Sequence, residues 1–287
     1  MKSFLYLIIS IAIAITLTSA NQKSTENIRS IILQASGKNV GSVSLKQSAD
    51  IISSRLKSFG LNSFEVKVSA DKGQVIILLP AKTNISEVEG LLTSKGELAF
   101  YETYSNNEIK DLLEPGNQLF KLLKHDQEQK TSDPRVGCTN TENRKNADEY
   151  LRSAIPVKNC KLFWGNESEK SGYCLFALKT DMNGKPLLAR SDVESVKIVK
   201  GKDTQDCKIQ IKLKPEAITF FAEATKNNLN KAIAIVIDDQ VYAWPIVKSA
   251  IERGEIEVTG NFTEKEANYL PAVFNSEQLQ LSFKLLK

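Results

Sequence analysis

The first part of the chain alternates between strand-like and helix-like spacing of its apolar residues. Alternating or continuous apolar runs predict strands at residues 28–33, 64–68, 75–79 and 98–104. Helical spacing between them predicts two helices, with apolar faces formed by Ala49, Ile52, Leu56 and Phe59 and by Val88, Leu91 and Leu92. Ser44 is the predicted N-cap of the first helix, and Gly60 its end. Asn84 and Glu87 form a cap-like pair at the second helix, which we expect to stop at Gly96.

The last eighty residues repeat this order with one extra strand. Apolar runs predict strands at residues 207–213, 232–237, 240–244, 257–260 and 279–285. Pro215 suits the first turn of a helix whose predicted inner face comprises Ala217, Phe220, Phe221 and Ala224. Residues 263–266 form a capping box before a second helix, whose predicted inner face comprises Ala267, Leu270 and Phe274. Pro271 lies inside this helix and should kink or shorten it.

The middle of the chain is more polar. The pattern of residues 105–160 predicts a helical segment near 107–124, interrupted at Pro115–Gly116. It predicts a second helical segment near 143–154, with a surface loop between the two. Strand patterns return at 161–164 and 173–177, which should form a hairpin, and at 193–199.

Together these patterns predict an α+β protein with ferredoxin-like βαββαβ units, in which helices cover one face of antiparallel sheets. The predicted divisions are a signal segment at 1–20, an N-terminal ferredoxin-like unit at 21–105, a helical polar insertion at 106–160 and a second α+β unit at 161–287.

The first twenty residues have the features of a secretory signal peptide. Lys2 supplies a positive charge, residues 4–17 are nearly all apolar, and residues 18–20 are small enough for cleavage after Ala20. The apolar run is shorter than the roughly 20 residues that span a bilayer as a helix. We therefore predict export with cleavage before Asn21; the alternative is an uncleaved membrane anchor.

Four cysteines follow the signal segment, an even number that predicts two disulfides in an oxidising compartment. We expect Cys138–Cys160, which enclose a modest loop, and Cys174–Cys207, which both lie in predicted strands. The rival Cys160–Cys174 is less favoured, because a tight hairpin would pair Phe163 with Cys174 and place Cys160 on the opposite face. The remaining alternative is four reduced thiols.

Composition excludes several classes of protein. The 287 residues are 41% hydrophobic and 25% charged, as in folded domains rather than disordered chains. The formal charge of +4 is spread along the chain, so no nucleic-acid footprint is predicted. A single histidine and the lack of any C-x-x-C spacing argue against a metal site. No nucleophile elbow or phosphate-binding glycine loop is present, so we predict no catalytic residue, no cofactor and no enzyme activity.

The remaining candidate residues have structural interpretations. His125 lies in a polar stretch without an evident partner for base catalysis. Asp238–Asp239 reads as a two-residue turn between strands rather than a cation site. Asn84, Asn166 and Asn261 begin glycosylation-like triplets that we discount, because Asn84 and Thr263 serve as caps. Most of one aromatic set should be core, with a minority able to line an exposed groove: Tyr101, Tyr104, Phe163, Trp164, Tyr242 and Trp244.

Several motifs in one order resemble the first periplasmic domain of the SecD family, the accessory membrane subunit of the Sec protein-export translocase. The motifs are 51–56 (IISSRL), 96–104 (GELAFYETY), 221–228 (FAEATKNN), 233–238 (IAIVID), 241–245 (VYAWP) and 260–267 (GNFTEKEA). The resemblance runs from about residue 45 to about residue 280. It implies a base and a movable head, a periplasmic location, and contact with emerging preprotein.

The chain also departs from this family. Residues 21–26 lack the family's glycine-rich motif, and the sequence ends at Lys287, where family members continue into five more membrane helices. We therefore expect a stand-alone secreted domain without proton coupling.

From the resemblance we expect a non-enzymatic periplasmic protein that binds or holds exported polypeptide, with Sec translocase components as further partners. The alternative is a module that docks one folded envelope partner, and an enzyme ranks last. An exposed apolar groove would favour the first, a flat patch the second, and a polar cleft with convergent acids the third. We expect the apolar binding side chains to lie between the head and the N-terminal unit.

Overall fold

The computed structural model describes residues 27–37, 39–105, 107–109, 118–124, 133–153, 158–165, 172–200, 207–259 and 264–286. The described strands are β1 (Ile28–Ser36), β2 (Glu65–Ser69), β3 (Gln74–Pro80), β4 (Leu98–Glu102), β5 (Arg135–Thr139), β6 (Cys160–Trp164), β7 (Tyr173–Lys179), β8 (Leu188–Ala189), β9 (Val193–Lys200), β10 (Cys207–Leu213), β11 (Ile233–Ile237), β12 (Gln240–Ala243), β13 (Glu255–Thr259) and β14 (Ser282–Leu286). The described helices are α1 (Ser42–Ser58), α2 (Ile85–Thr93), α3 (Gln118–Leu122), α4 (Thr141–Ser153), α5 (Pro215–Asn227) and α6 (Glu264–Phe274). The prediction of an α+β protein with antiparallel sheets is confirmed.

The first sheet has the strand order β14-β1-β3-β2, with α1 and α2 packed against it. Alternation in β1 directs Ile31, Leu33 and Ala35 into the core. β3 is central, as predicted. The prediction that β4 completes this sheet is wrong, because the C-terminal strand β14 takes that edge of β1.

Strand β4 instead lies inside a second sheet with the order β12-β11-β4-β8. Phe100 is buried on one face of β4 and Tyr101 on the other. A strand buried on both faces belongs in the interior of a sheet, with hydrogen-bonding neighbours on both edges. β11 and β8 provide those neighbours.

Two further sheets cover the second sheet from opposite sides. The third sheet, β13-β10-β9, joins one face through a core that includes Ile209, Ile211 and Ile235. The fourth sheet, β5-β7-β6, covers the other face, where Phe176 and Leu178 meet Val236. The second sheet is therefore the central layer of this part of the molecule.

Strand β5 corrects the prediction of a surface loop between two helices. Only Val136 and Cys138 are apolar in this short segment, so its pattern is weak. It forms a strand because β7 offers a free edge, where Cys138 pairs directly with Cys174.

The start of α1 and the buried face of α5 differ from prediction. Gly41 is the N-cap of α1, and Ser44 instead occupies the third helical position, where its hydroxyl accepts a hydrogen bond from the Gly41 N–H at 3.1 Å. Phe220 of α5 is 55% exposed, whereas Ala217, Phe221 and Ala224 are buried as expected. The Asn84 cap of α2 is confirmed by a bond from the Ser86 N–H.

The buried Arg55 joins three segments that are far apart in sequence. Its guanidinium donates to the Ser94 carbonyl at 2.6 Å, to the Ser276 hydroxyl at 2.8 Å and to the Glu277 carbonyl at 3.2 Å. The side chain of Ser94 continues the connection, because its hydroxyl donates to Asp238 at 2.5 Å. Arg55 therefore ties α1 to the ends of α2 and α6 and to the β11–β12 turn.

Candidate functional site

An apolar groove opens where α5, β11, β13 and the segment 245–251 meet. Its cavity measures about 240 Å³. The lining residues are Phe100, Phe221, Thr225, Ile233, Ile235, Pro245, Ile246, Val247, Lys248, Ser249, Ile251, Ile256 and Glu257. Because most of these side chains are apolar, the groove is suited to binding apolar groups rather than to covalent chemistry.

The floor of the groove is fixed by packing and by one buried hydroxyl. The rings of Phe100 and Phe221 meet edge to face, with their centres 5.9 Å apart. The Thr225 hydroxyl donates to the Phe221 carbonyl at 2.9 Å and accepts from the Ile251 N–H at 3.0 Å. The bond from the Ile251 N–H fixes the segment 245–251 to α5.

Two exposed residues, Pro245 and Ile246, form the rim of the groove, and the exposed Trp244 directly precedes them. Trp244 and Ile246 are each 38% exposed, and Pro245 between them is also exposed. Trp244 packs on Phe176, with ring centres 4.7 Å apart. The apolar pattern predicts that a strand ends at Trp244, and it does not predict this rim. A possible signal was the apolar run from Trp244 to Val247, which does not alternate.

Strand β13 passes beside the groove, to which it contributes Ile256 and Glu257. It is an edge strand of the third sheet, paired with β10 through one edge. No described strand pairs with its other edge. An extended peptide added there would lie next to an apolar cavity.

A second, polar cleft of about 330 Å³ lies on the opposite face of the second sheet. Its lining residues are Glu97, Leu98, Ala99, Tyr101, Lys161, Pro186, Ala189, Arg190, Ser191, Val236, Asp238, Asp239 and Gln278. Asp238 is already engaged, because its carboxylate accepts from the Ser94 hydroxyl and from the Glu97 N–H at 2.9 Å. Asp238 and Asp239 have φ values of 47° and 63°, which confirms the predicted two-residue turn. Within the described residues, no group of three histidine, cysteine or acidic side chains could hold a metal ion.

The cysteine pairing differs from both predicted disulfides and from their rival. Cys138 bonds to Cys174 on the neighbouring strand, with Cα atoms 3.9 Å apart. The two residues are directly opposite, and their backbone groups bond to Lys124 and Gly165 rather than to each other. Such non-hydrogen-bonded pairs bring side chains closest together.

Because Cys138 is bonded to Cys174, neither Cys160 nor Cys207 has its predicted partner. The predicted Phe163–Cys174 register is wrong, because Phe163 pairs with Phe176 and Cys160 pairs with Lys179. Cys160 is a free thiol, and burial raises its pKa to about 11. Cys207 begins β10, but its side chain lies outside the described part of the chain.

Most of the aromatic set packs as core, as predicted. Tyr101 meets Phe163 edge to face at 6.0 Å. The Tyr104 hydroxyl donates to the Asn159 carbonyl at 3.3 Å, and the Trp164 ring N–H donates to Asp148 at 2.7 Å. Trp244 is an exposed member of the set, but its ring packs on Phe176 and does not line the groove.

Several predicted features lie outside the described residues. They are the signal segment 1–20, Pro115–Gly116, His125, Asn166, Asn261 and Thr263. Their structural interpretations stay predictions.

Residues 175–281, which include every groove-lining residue except Phe100, match the family described as the SecDF P1 head subdomain. The protein translocase subunit SecD of Calditerrivibrio nitroreducens is 21% identical over 250 residues, covering 87% of this chain. Over most of its length, this chain is similar to SecD. The SecD of Rickettsia prowazekii is 25% identical over 244 residues, and the SecDF of Thermus thermophilus is 29% identical over 108 residues.

Solved structures agree on the fold of this SecD-like chain. A SecDF chain in the super-membrane-facing form has a TM-score of 0.53 at 18% identity, covering 91% of this chain and 29% of its own. A second chain, from SecDF described as a membrane component that enhances protein export, has a TM-score of 0.52 at 18% identity. That match covers 90% of this chain and 98% of the solved one.

The SecD-like chain spans about two fifths of the curated relatives that it matches, 41% of one and 38% of the next. Among the described residues, no helix has the length and apolar character to cross a membrane.

Proposed function

We propose that this chain binds exported polypeptide on the periplasmic side of the inner membrane, in connection with Sec-dependent export. The observation that carries the proposal is the apolar groove with the exposed rim Pro245–Ile246, whose lining residues other than Phe100 lie within residues 175–281 that match the SecDF P1 head subdomain. The similarity to SecD supports the export setting and Sec translocase components as partners.

Binding would be reversible and non-covalent. An extended segment adds to the edge of β13 that no described strand occupies, where backbone hydrogen bonds hold it, and a large apolar side chain enters the neighbouring cavity. Such contacts do not depend on a particular sequence, as a carrier of many exported proteins requires. The groove lies among β4, β11, β13 and α5, and all of its lining residues except Phe100 fall within the predicted second α+β unit, 161–287.

The test follows aggregation of an unfolded exported protein by light scattering. The protein is purified in the form recovered from cells. At about tenfold molar excess it should delay aggregation without an energy source, because binding the unfolded substrate lowers the concentration of free unfolded substrate by mass action. Ile246→Lys places a charge at the rim and should abolish the delay.

The matched control is Ile28→Lys, which alters a 68% exposed isoleucine in the first sheet. It should leave the delay intact. Loss of the delay in both variants, or no delay with the unchanged protein, would contradict the proposal. Recovery of a single folded partner from envelope extract in that case would favour a docking module instead.

A further inference from the structure

Two polar groups of the polar cleft have no hydrogen-bond partner among the described residues, and one of them, the Arg190 Nε, is buried. Tyr101 is only 4% exposed, yet its hydroxyl makes no hydrogen bond to any described residue, and its side chain lines the cleft. Arg190 holds the Val193 and Phe274 carbonyls through its terminal nitrogens, while its buried Nε has no partner among the described residues. Buried donors normally find acceptors, so the Arg190 Nε lacks one that a ligand could provide, and the Tyr101 hydroxyl is free to bind the same ligand from the cleft.

Charges of both signs surround these two groups. Glu97 and Asp239 supply carboxylates, and Glu97 has only a weak, half-exposed pair with Lys95 at 3.9 Å. Lys161 approaches from the fourth sheet, with its ammonium 5.9 Å from the centre of the Tyr101 ring. Burial, reinforced by Asp239 and Glu97, raises the pKa of Tyr101 to about 12. The hydroxyl therefore stays protonated and can donate at neutral pH.

The strand order separates the acidic and basic ends of the cleft. Asp239 lies in the turn after β11, and Arg190 directly follows β8. β11 and β8 flank β4 on opposite edges, with Ile237 opposite Leu98 and Ala189 opposite Ala99. Two strand spacings, about 10 Å, therefore separate the two backbones at the same end of the sheet.

A ligand with a single charge does not fit this layout. A lone cation would face Lys161 and leave the Arg190 Nε–H unpaired, and a lone anion would face Glu97 and Asp239. A ligand with an ammonium and a carboxylate can satisfy both ends. The volume of about 330 Å³ suits an amino acid or a short peptide.

We propose that this cleft is a binding site for a small zwitterion, an amino acid or a short peptide with free termini. Asp239 and Glu97 receive the ammonium, and the Arg190 Nε–H and the ammonium of Lys161 receive the carboxylate. The Tyr101 hydroxyl donates to the carboxylate from below. The site is independent of the apolar groove, because it lies on the other face of the second sheet.

The test is an NMR titration of the full protein, labelled at alanine and valine methyl groups. Ala99 and Val236 line the cleft and report on binding there. The probes are alanine, the dipeptide Ala-Ala, N-acetyl-Ala-Ala and Ala-Ala amide. Alanine, Ala-Ala or both should shift the two methyl signals, and which of them does so shows whether the site takes an amino acid or a peptide. Each blocked dipeptide lacks one of the two charges and should bind at least about tenfold more weakly.

Two variants test the assigned groups. Tyr101→Phe should raise Kd by about ten- to hundredfold, because it removes one hydrogen bond to a charged group. Asp239→Asn keeps a residue that tolerates the turn's positive φ and should weaken binding similarly. The matched control Tyr104→Phe removes a hydroxyl that bonds to Asn159 away from the cleft and should change nothing.

No shift at about 10 mM of either free zwitterion, or binding that Tyr101→Phe and Asp239→Asn leave unchanged, would overturn the proposal. The groove variant Ile246→Lys should bind the zwitterion normally. Loss of aggregation delay alone would therefore count against the proposed function and not against this site.

Discussion

The two faces of the second sheet carry opposite chemistry although the same strands build both. In β4, Phe100 lines the apolar groove, whereas its neighbours Ala99 and Tyr101 line the polar cleft. In β11, Ile235 and Val236 divide in the same way. Because alternate residues of a strand point to opposite faces, one short sequence serves two sites. The difference between the sites comes from the covering elements.

The covering elements are also held in different ways. On the groove side, packing on α5 and the Thr225 bond to Ile251 hold the segment 245–251. On the cleft side, a buried charge, a disulfide and an ion pair brace the structure through Arg55, Cys138–Cys174 and Lys179–Glu108. Variants that remove these contacts should therefore affect the cleft side and the groove side of the sheet differently.

The largest effect is expected from Arg55→Leu. Leucine fills part of the space but leaves the Ser94 and Glu277 carbonyls without donors in a buried site. We expect a loss of about 3–5 kcal/mol in the free energy of unfolding. Urea denaturation followed by circular dichroism measures it.

The matched control for this prediction is Arg29→Leu, because Arg29 is exposed. It should change stability by less than about 0.5 kcal/mol. Equal effects of the two variants would contradict the role assigned to Arg55.

The next effect concerns the disulfide. Cys138→Ala combined with Cys174→Ala should reduce stability by about 2–4 kcal/mol, because the 36-residue separation is no longer closed in the unfolded chain. The fourth sheet should loosen first, and hydrogen exchange should rise in β5 before β11. Cys160→Ala is the control and should not change exchange in β5. Unchanged exchange in the double variant would show that the disulfide does not brace this side.

A smaller effect is expected at the β11–β12 turn. Asp238→Ala removes the acceptor for the Ser94 hydroxyl and the Glu97 N–H, and places alanine at a positive φ. We expect a loss of about 1–3 kcal/mol, measured by thermal unfolding. Asp181→Ala, in an exposed turn, is the comparison variant. A larger effect at Asp181 would show that the Ser94–Asp238 contact contributes little.

The smallest effect is a pH dependence at Glu108. Burial raises the pKa of this carboxyl, but hydrogen bonds from Ser105 and Lys179 outweigh it and lower the pKa to about 2. A depressed pKa adds stability above the ordinary pKa near 4.3, and this stability is lost as pH falls towards 2. The difference between wild type and Glu108→Gln should be below about 1 kcal/mol at pH 7, because the pair is partly exposed, and should vanish near pH 2. A difference that is constant with pH would contradict this assignment.

Local features of the fold were predictable from the sequence. The bounds of β10 match the predicted 207–213, the Asn84 cap forms, and Asp238–Asp239 makes the expected turn. Each depends on residues close together in the chain. Their chemistry, such as side-chain capping or tolerance of a positive φ, is local.

Long-range features were not predictable in this way. The patterns identified β4 and β14 as strands, but nothing local specifies that β14 rather than β4 pairs with β1. Cysteine pairing failed for the same reason, since it depends on β5 meeting β7 in one register. The groove rim is an irregular segment, positioned by the bonds of Val247 to Lys231 and Asn230. Both cavities therefore depend on contacts that periodicity does not encode.

The central claim is that unfolded polypeptide binds the apolar face and not the polar one. Methyl NMR of the protein with labelled isoleucine and valine, titrated with an unfolded exported substrate, tests it most directly. The account predicts shifts at Ile246 and Ile256, with Val236 in the cleft and Ile52 in the first core unchanged. Shifts at Val236 without shifts at Ile246, or no shift at any of these methyl groups, would contradict it.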